Sequence, residues 1–507
     1  MFSWMEVLGQ WRQGIVYPRW AALAHWGYGE ARFLFYPPTS WTLGAALGVL
    51  LPWKLVPGAY CWIALTLAGA SMYRFAREWL SGSDALFAAA FYAVNPYHLV
   101  IVYWRSAYAE LLAAALLPML VAALLRLRLK EAGARPVLWL SVILALAWLT
   151  NAPAAVMIHY SAAGLAVLLA ERERSWRLLM RTGLAVVLGI GLASFYLLPA
   201  ILEEKWIHIG EVLAFGVRPQ DNFLFTTIAD VDHNRFNQLV SWVALAEIAL
   251  LMFAMWRCYA WRSKKETLWL SLSIWGSVTI LVMFSVSNPL WQYLPKFRFV
   301  QLPFRWLLCL NAALALLLAM ATRRWLTRAL AAATMLAVLL VVGYRIQPPW
   351  WDNASDIKEM SDAMLDGTGN EGIDEYVPAG ADPYEVNKKL PRITDPSGNA
   401  VPVQMIQWGP IDKHFLVQAL QATNLTLRLF NYPAWQVSIN DRAAETSTMD
   451  TTGQMLIPVP PGQSDVRIHF GRTLDRTIGD IVSVTSLTLL VAVWITTRPR
   501  NAKNATT

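Results

Sequence analysis

The residues of this chain that could do chemistry are charged side chains placed among aromatic and proline residues at the ends of apolar segments. One block runs from Asn95-Pro96-Tyr97 to Arg105 and Glu110, at the start of an otherwise apolar helix. Because an ionised side chain inside a bilayer costs roughly 2.5–3.5 kcal/mol on insertion scales, such residues are functional candidates. The guanidinium of Arg105 could bind a phosphate, and Glu110 could orient it or accept a proton. Alternatively, the two side chains pair with each other as an interfacial anchor.

A second basic and aromatic element lies further along the chain and contains Arg298, Gln301 and Arg305. Together with Arg105, its two arginines could bind the phosphate or pyrophosphate of a lipid carrier. In the alternative interpretation, these arginines bury their stems and extend their charged ends to the membrane surface.

An acidic cluster follows Thr226-Thr227 and consists of Asp230, Asp232 and His233. Carboxylate and imidazole groups at this spacing could hold a divalent metal or supply a general base. The motif is short, and a solvated acidic loop is the alternative. A divalent metal is the cofactor that the sequence suggests.

Residues 1–55 are rich in aromatic, proline and glycine residues, and they lack the basic start and apolar run of a signal peptide. Glu30 is a candidate catalytic base, and Arg19 is a candidate phosphate ligand. Pro37-Pro38 predicts a stiff turn into a short helix. The alternative is a loop whose aromatic side chains anchor it to lipid headgroups. The aromatic side chains expected to line a binding site are Tyr28, Tyr36 and Tyr97.

The composition predicts a polytopic α-helical membrane protein. Of the 507 residues, 56% are hydrophobic and only 15% are charged, and the apolar residues fall in runs near the ~20 needed to cross a bilayer. The net charge of +8 does not imply nucleic acid, because the basic residues cluster in short loops. The 3 cysteines lie within apolar segments, which argues against disulfides.

Hydropathy predicts about 11 spans, with ends uncertain by a few residues. They are expected at residues 56–73, 84–100, 109–126, 137–150, 154–170, 182–200, 239–256, 268–286, 304–321, 329–343 and 477–496.

Every second loop between these spans is basic, which places those loops in the cytoplasm by the positive-inside rule. Residues 1–55 are then expected outside, with 41–52 as a re-entrant or interfacial helix, and the C-terminus inside. The basic side chains are Arg74 and Arg77; Arg126, Arg128, Lys130 and Arg135; Arg172, Arg174, Arg177 and Arg181; Arg257, Arg262, Lys264 and Lys265; Arg323, Arg324 and Arg328; and Arg498, Arg500 and Lys503.

A compositional change marks a second domain at residues 344–476, where acidic side chains outnumber basic ones and apolar residues alternate with polar ones. The alternation at 424–430, 435–439 and 465–470 predicts strands of a small extracytoplasmic β-sandwich. The predicted organisation is therefore an outer segment at 1–55, a helical domain at 56–343, the β-domain at 344–476, and a last span with a basic tail at 477–507.

The chain resembles the bacterial membrane proteins grouped under a "6-pyruvoyl-tetrahydropterin synthase-related" domain. The resemblance lies in the aromatic and proline motifs of residues 1–55, in the block from Asn95 to Glu110 and in Gln301-Leu-Pro-Phe-Arg-Trp306. The broader plan resembles the C-type glycosyltransferase superfamily, which takes sugars from polyprenyl-phosphate carriers. That resemblance implies that Pro37-Pro38 starts a juxtamembrane helix and that Arg105 and Glu110 form the polar head of a span. The superfamily places its catalytic acid after a first spanning helix. Here that helix is missing, and Glu6 is the only acidic residue before Glu30, so an upstream start, a relocated base or a lost base is expected.

The resemblance implies a glycosyltransferase of the bacterial cytoplasmic membrane. It would move a sugar from a polyprenyl-phosphate carrier to an outer-face glycan or lipid acceptor, with the bilayer as its other partner. Glu30 or Asp230 would activate the acceptor, while Arg105 and Arg305 stabilise the departing phosphate. The alternative is a non-catalytic membrane protein that binds a cell-envelope glycan or lipid. Walker, dinucleotide-binding, zinc-protease and serine-hydrolase motifs are absent from the sequence.

Overall fold

The chain forms two compact units in a computed structural model that describes residues 1–129, 133–260, 265–322, 324–345 and 353–497. The first, which we call the sandwich unit, comprises Met1–Pro57, Phe195–Val212 and Asp352–Asp480. The second, the helical unit, comprises Gly58–Ser194, Leu213–Trp351 and Ile481–Thr507. Lys130, Arg262, Lys264, Arg323 and the basic tail from 498 lie outside the described residues.

The described helices account for the apolar segments of the sequence. They are α1 (Phe2–Arg12), α2 (Ala24–Gly27), α3 (Arg32–Phe35), α4 (Pro38–Leu50), α5 (Val56–Ala76), α6 (Gly82–Ala93), α7 (Pro96–Tyr103), α8 (Tyr108–Ala113), α9 (Leu116–Leu127), α10 (Arg135–Thr150), α11 (Ala152–Arg172), α12 (Trp176–Leu192), α13 (Ser194–Leu202), α14 (Val231–Tyr259), α15 (Glu266–Val282), α16 (Asn288–Tyr293), α17 (Leu307–Ala321), α18 (Trp325–Arg345), α19 (Ala354–Leu365) and α20 (Leu474–Thr496).

Many of these helices could cross a membrane. Within the described ranges, 8 are long and apolar enough, or up to 10 if each of two bent helix pairs counts as one span. The predicted span at 137–150 corresponds to α10, which is shorter than a full crossing. The predicted span at 268–286 corresponds to α15 and is bent by 91° against the next helix. The predicted helical membrane domain is thus confirmed, and the orientation in the membrane stays a prediction.

The sandwich unit contains two antiparallel sheets that share one apolar core. The strands are β1 (Ile393–Thr394), β2 (Val403–Trp408), β3 (Asp412–Ala419), β4 (Thr423–Phe430), β5 (Trp435–Ile439), β6 (Arg442–Ala444), β7 (Ser447–Thr448), β8 (Gln454–Val459) and β9 (Gly462–Phe470). One sheet has the order β1-β4-β8-β7 and the other β2-β3-β9-β5-β6. Alternate residues of β3 are buried, as expected for a strand with one face on the core.

This arrangement confirms the predicted C-terminal β-domain. The period-two segments at 424–430, 435–439 and 465–470 are β4, β5 and part of β9.

The opening segment of the chain is a structural part of the same unit. The Trp20 ring is fully buried, and its centroid lies 5.7 Å from that of Tyr432, 5.4 Å from that of Trp435 and 5.5 Å from that of Phe470. Buried aromatic side chains contribute large apolar areas to a core. The opening segment and the β-strands of the C-terminal half therefore build the same unit, which the sequence did not predict.

Two helices of the opening segment pack closely against each other. On α4, Gly44 faces the Trp4 ring of α1, and a Cβ at position 44 would lie 2.2 Å from a ring carbon. Only glycine permits this approach, because any side chain would overlap the indole. The short helix expected after Pro37-Pro38 is α4, with Pro38 in its first turn.

Candidate functional site

A buried carboxylate, Glu110, lies at the centre of a polar cluster in the helical unit. Its side chain is fully buried in the first turn of α8. Arg105 donates a hydrogen bond from Nη1 to Glu110 Oε2 at 2.7 Å, and Arg305 donates from Nε to the same oxygen at 3.1 Å. The Tyr97 hydroxyl donates to Glu110 Oε1 at 2.6 Å. Both carboxylate oxygens are therefore hydrogen-bonded, and the carboxylate orients two guanidinium groups.

Arg105 is held by the break between two helices. The chain leaves α7 after Tyr103 and starts α8 at Tyr108, with Ser106 in the left-handed region at a φ of 47°. Non-glycine residues in this region are strained, and such strain concentrates at functional sites. The Arg105 guanidinium lies 5.7 Å from the Phe304 ring centroid, and 13% of its side chain is exposed.

Arg305 is held by the turn that begins the next apolar helix. It lies in a 3₁₀ turn, Pro303–Trp306, directly before α17. Its Nη1 donates to the Val300 carbonyl at 2.6 Å and to Gln301 Oε1 at 2.9 Å. Gln301 itself has a φ of 64°, again a strained conformation. These contacts leave the guanidinium rigid, with its Nε directed at Glu110.

Two arginines of the cluster share one carboxylate. The guanidinium groups of Arg105 and Arg305 both contact Glu110, and Arg305 is 8% exposed. Guanidinium groups held in place by a carboxylate are well suited to bind an anion. The sequence predicted Arg105, Glu110 and Arg305 as site residues, and the structure brings all three together with Tyr97.

Aromatic rings connect this cluster to the start of α14. The Phe236 ring lies 5.0 Å from that of Trp104 and 5.6 Å from that of Phe304, measured between centroids. Asp230 precedes Phe236 by six residues, or about 9 Å along a helix axis. The acidic start of α14 therefore lies at the same end of the helical unit as Arg105.

The three residues of the predicted metal site have other contacts at this helix start. Asp230 is the N-cap of α14, and its Oδ1 accepts hydrogen bonds from the Asp232 and His233 amides. Asp232 pairs with Arg235, and His233 Nε2 lies 3.1 Å from the Asp221 carbonyl oxygen. Within the described ranges, no group of three or more His, Cys, Asp or Glu side chains could hold a metal. Short polar residues favour N-cap positions because their side-chain oxygen accepts hydrogen bonds from the amides of the first helical turn. Helix capping therefore explains the motif.

Arg298, which the sequence grouped with Arg305, forms no ion pair with Glu110 in the described part of the chain. It is exposed, and its guanidinium lies 5.5 Å from the Phe299 ring centroid. A solvated, ring-stacked arginine contributes positive charge at the surface and fits the alternative interpretation given above.

Glu30 is fully buried in the sandwich unit. Its Oε2 accepts a hydrogen bond from the Ile373 amide at 2.8 Å and lies 2.9 Å from His25 Nε2, while Arg32 Nε donates to its Oε1. Burial raises the pKa of the Glu30 carboxyl, but Arg32 and His25 outweigh that effect, so its pKa lies below the ordinary value. This geometry fits an ion pair that holds the opening segment in place better than it fits a general base.

The remaining predicted residues of the opening segment also have structural contacts. The Arg19 guanidinium lies 5.0 Å from the Tyr17 ring centroid, and burial lowers its pKa. The Tyr28 hydroxyl donates to the Asn387 carbonyl at 3.0 Å, and its ring lies 5.4 Å from that of Phe430. The Tyr36 carbonyl accepts a hydrogen bond from the Trp41 indole.

Sequence reasoning missed a second buried ion pair. In the sandwich unit, Arg476 donates two hydrogen bonds to Glu203, from Nε at 2.7 Å and from Nη2 at 2.8 Å. The Tyr432 hydroxyl donates to Glu203 Oε2 at 2.6 Å. An arginine in the first turn of an otherwise apolar helix was the available signal. Its partner could not be predicted, because it lies far away in the sequence.

Residues 33–348, well over half of the chain, match the family model described as "6-pyruvoyl-tetrahydropterin synthase related domain; membrane protein". The match includes Tyr97, Arg105, Glu110, Asp230 and Arg305. No curated protein and no solved structure matches the chain.

Proposed function

We propose that this chain, which belongs to the 6-pyruvoyl-tetrahydropterin synthase related family of membrane proteins, is a membrane glycosyltransferase. It would take a sugar from a polyprenyl-phosphate carrier in the bacterial cytoplasmic membrane and pass it to a cell-envelope glycan or lipid. The observation that carries this proposal is the pair of guanidinium groups, Arg105 and Arg305, oriented by one carboxylate at the ends of apolar helices.

The cluster suits a phosphate attached to a lipid. Guanidinium groups bind phosphate through two parallel hydrogen bonds. An arginine side chain that Glu110 already holds in place loses little conformational entropy when it binds the phosphate. Apolar helices beside the cluster offer a surface for the carrier's hydrocarbon chain. In this proposal Glu110 is a positioning residue, since both of its oxygens are already hydrogen-bonded.

The transfer itself would be an inverting displacement. The acceptor oxygen attacks the anomeric carbon, the bond from that carbon to the phosphate oxygen breaks, and the electron pair leaves with the phosphate. Arg105 and Arg305 stabilise the charge on the departing phosphate. Asp230 accepts the acceptor's proton, because it is exposed at the same end of the helical unit, whereas Glu30 is fully buried.

The test uses the purified full-length protein in lipid nanodiscs. Polyprenyl phosphate binds the wild type, and Arg105→Ala or Arg305→Ala weakens binding by at least about tenfold. The matched control, Arg298→Ala, removes an exposed arginine from the same segment and leaves binding unchanged. Thermal melting of each variant separates lost binding from lost folding.

Catalysis is tested separately with radiolabelled polyprenyl-phosphate sugars. Asp230→Asn preserves donor binding and lowers transfer by at least about a hundredfold, the usual contribution of a general base. The proposal fails if the wild type neither binds polyprenyl phosphate nor transfers sugar from any of these donors.

A non-catalytic role is the second candidate, and one observation favours it. The carboxylates of Glu30 and Glu110 are both buried and fully hydrogen-bonded, so neither can take up a proton easily. A protein that only binds a cell-envelope glycan or lipid would tolerate Asp230→Asn. Changes in the sandwich unit, such as Trp435→Ala, would then abolish its function.

A further inference from the structure

A cavity of about 390 Å³ lies within the sandwich unit. One wall is formed by α1, and the others come from the turn at 20–27, from residues 364–367, from the β2–β3 hairpin and from β4. This volume is within the range of about 300–1,000 Å³ that small-molecule sites occupy.

The α1 wall presents two buried polar side chains, Glu6 and Gln10. They are four residues apart on one helix face, and they are 3% and 2% exposed. The Leu23 amide donates to Glu6 Oε1 at 3.0 Å, and Gln10 Nε2 donates to the Trp20 carbonyl at 2.8 Å. Each side chain is therefore fixed by one hydrogen bond.

The other oxygen of each side chain lacks a partner. Glu6 Oε2 and Gln10 Oε1 are buried, and they form no hydrogen bond with any described residue. A buried polar atom without a partner costs roughly 1–3 kcal/mol, so such atoms commonly bind a ligand or water. Both residues line the cavity, and an oxygen of this kind can accept a hydrogen bond from a hydroxyl group such as those of a sugar.

Basic side chains outnumber acidic ones in the lining of the cavity. The basic residues are Arg12, Arg392, Lys413 and Arg428, and the acidic ones are Glu6 and Asp366. Two of the basic side chains are held in place, because Arg428 Nη1 donates to the Leu390 carbonyl at 3.1 Å and Lys413 Nζ to the Gly409 carbonyl at 3.0 Å. Positioned guanidinium groups bind carboxylates and phosphates. The cavity thus combines hydroxyl acceptors with an anion-binding wall.

We propose that this cavity binds a carbohydrate that carries a negatively charged group, a carboxylate or a phosphate. Glu6 and Gln10 accept hydrogen bonds from its hydroxyl groups, and Arg392 and Arg428 bind its anionic group. The inference goes beyond the proposed transfer reaction, because the cavity lies in the other unit and uses none of the residues assigned to that reaction.

Calorimetric titration of the full-length protein in nanodiscs tests this proposal with glucuronate, glucose 6-phosphate, glucose and inorganic phosphate. We expect glucuronate, glucose 6-phosphate or both to bind at least about tenfold more tightly than glucose and inorganic phosphate. Comparing the first two ligands distinguishes a carboxylate site from a phosphate site.

Substitutions test whether the acidic sugar binds in this cavity. Arg392→Gln changes an exposed cavity residue, is expected to fold normally, and weakens binding of the acidic sugar at least about tenfold. Glu6→Ala also weakens it, whereas Arg442→Gln, on an exposed strand position outside the cavity, does not. Melting temperatures confirm folding.

Three outcomes overturn the proposal. Glucose could bind as tightly as glucuronate, inorganic phosphate could bind as tightly as glucose 6-phosphate, or Arg392→Gln could leave every affinity unchanged. Arg105→Ala leaves this binding intact, so failure here and failure of the transfer reaction give different results.

Discussion

At the scale of single residues, the helical unit depends on how Glu110 is paired. One carboxylate serves two arginines and a tyrosine, and all of these contacts are buried or nearly so. Removing one member of such a network leaves charges buried without partners, which costs far more than loss of an exposed pair.

Glu110→Gln is therefore expected to destabilise the protein by about 3–5 kcal/mol, because Arg105 and Arg305 lose their counter-charge. It should also weaken polyprenyl phosphate binding, since the arginines lose their orientation. Chemical denaturation in detergent and donor titration measure the two effects. The control Glu173→Gln breaks a surface pair with Arg128 and should cost no more than about 1 kcal/mol. Equal losses in both variants would contradict the assigned role.

Glu6 makes the stability of the sandwich unit depend on pH. Burial raises the pKa of its carboxyl from 4.5 to about 7, against the opposing effects of the Leu23 amide and Arg32. Since the folded state binds this proton more tightly than the unfolded state, the stabilisation is complete below the unfolded pKa. It is lost as pH rises through the folded value.

Glu6→Gln should accordingly reduce the fall in stability between about pH 5 and pH 8, by at most about 3 kcal/mol. Thermal melts across this range measure the difference. Glu359→Gln, on an exposed position of α19, serves as the control and should reproduce the wild-type slope. An unchanged slope in Glu6→Gln would show that the carboxyl does not titrate as assigned.

At the scale of secondary-structure elements, close helix contacts decide how the opening segment folds. The α1–α4 contact depends on Gly44, where a Cβ would overlap the Trp4 indole. Glycine costs a helix about 1 kcal/mol relative to alanine, so its position in α4 reflects packing rather than helix propensity.

Gly44→Ala is expected to destabilise the sandwich unit by about 1–3 kcal/mol in spite of the better helix former, because the indole must move. Gly58→Ala is the matched control, since nothing lies within 4 Å of a Cβ at that position. Melting temperatures compare the two. If both substitutions stabilised the protein, the close contact would be unimportant.

Local patterns predicted the elements well, and tertiary contacts explain what they missed. Alternating residues at 435–439 and 465–470 identified β5 and β9, and apolar runs identified most of the helices. Arg105 and Glu110 were grouped correctly because a short helix break separates them. The turn at Gln301 decides whether Arg305 or Arg298 contacts Glu110, and hydropathy does not reveal that turn. Likewise, no local signal pairs Glu30 with the Ile373 amide.

At the scale of the whole molecule, the main prediction is orientation. The alternation of basic loops predicts that the sandwich unit lies outside and that the loop between α11 and α12 lies in the cytoplasm. Asp441 is exposed on the sandwich unit, and Arg177 is exposed at the start of α12. These positions can report on the two sides of the membrane.

Cysteines introduced by Asp441→Cys and Arg177→Cys should react differently with a membrane-impermeant maleimide. In intact spheroplasts we expect labelling at 441 only, and labelling at 177 after permeabilisation. The wild type, with Cys61, Cys258 and Cys309 in apolar helices, gives the background. Labelling at 177 in intact spheroplasts would reverse the proposed topology.

The burial of Trp20 against Tyr432, Trp435 and Phe470 has a consequence for biosynthesis. The segment around Trp20 leaves the ribosome long before β9, so its packing partners are made much later. Contacts between residues this distant along the chain form slowly, and apolar side chains that stay exposed in the meantime are prone to aggregate. We therefore expect the newly made segment around Trp20 to be protected by the bilayer surface or a chaperone until β9 has been made.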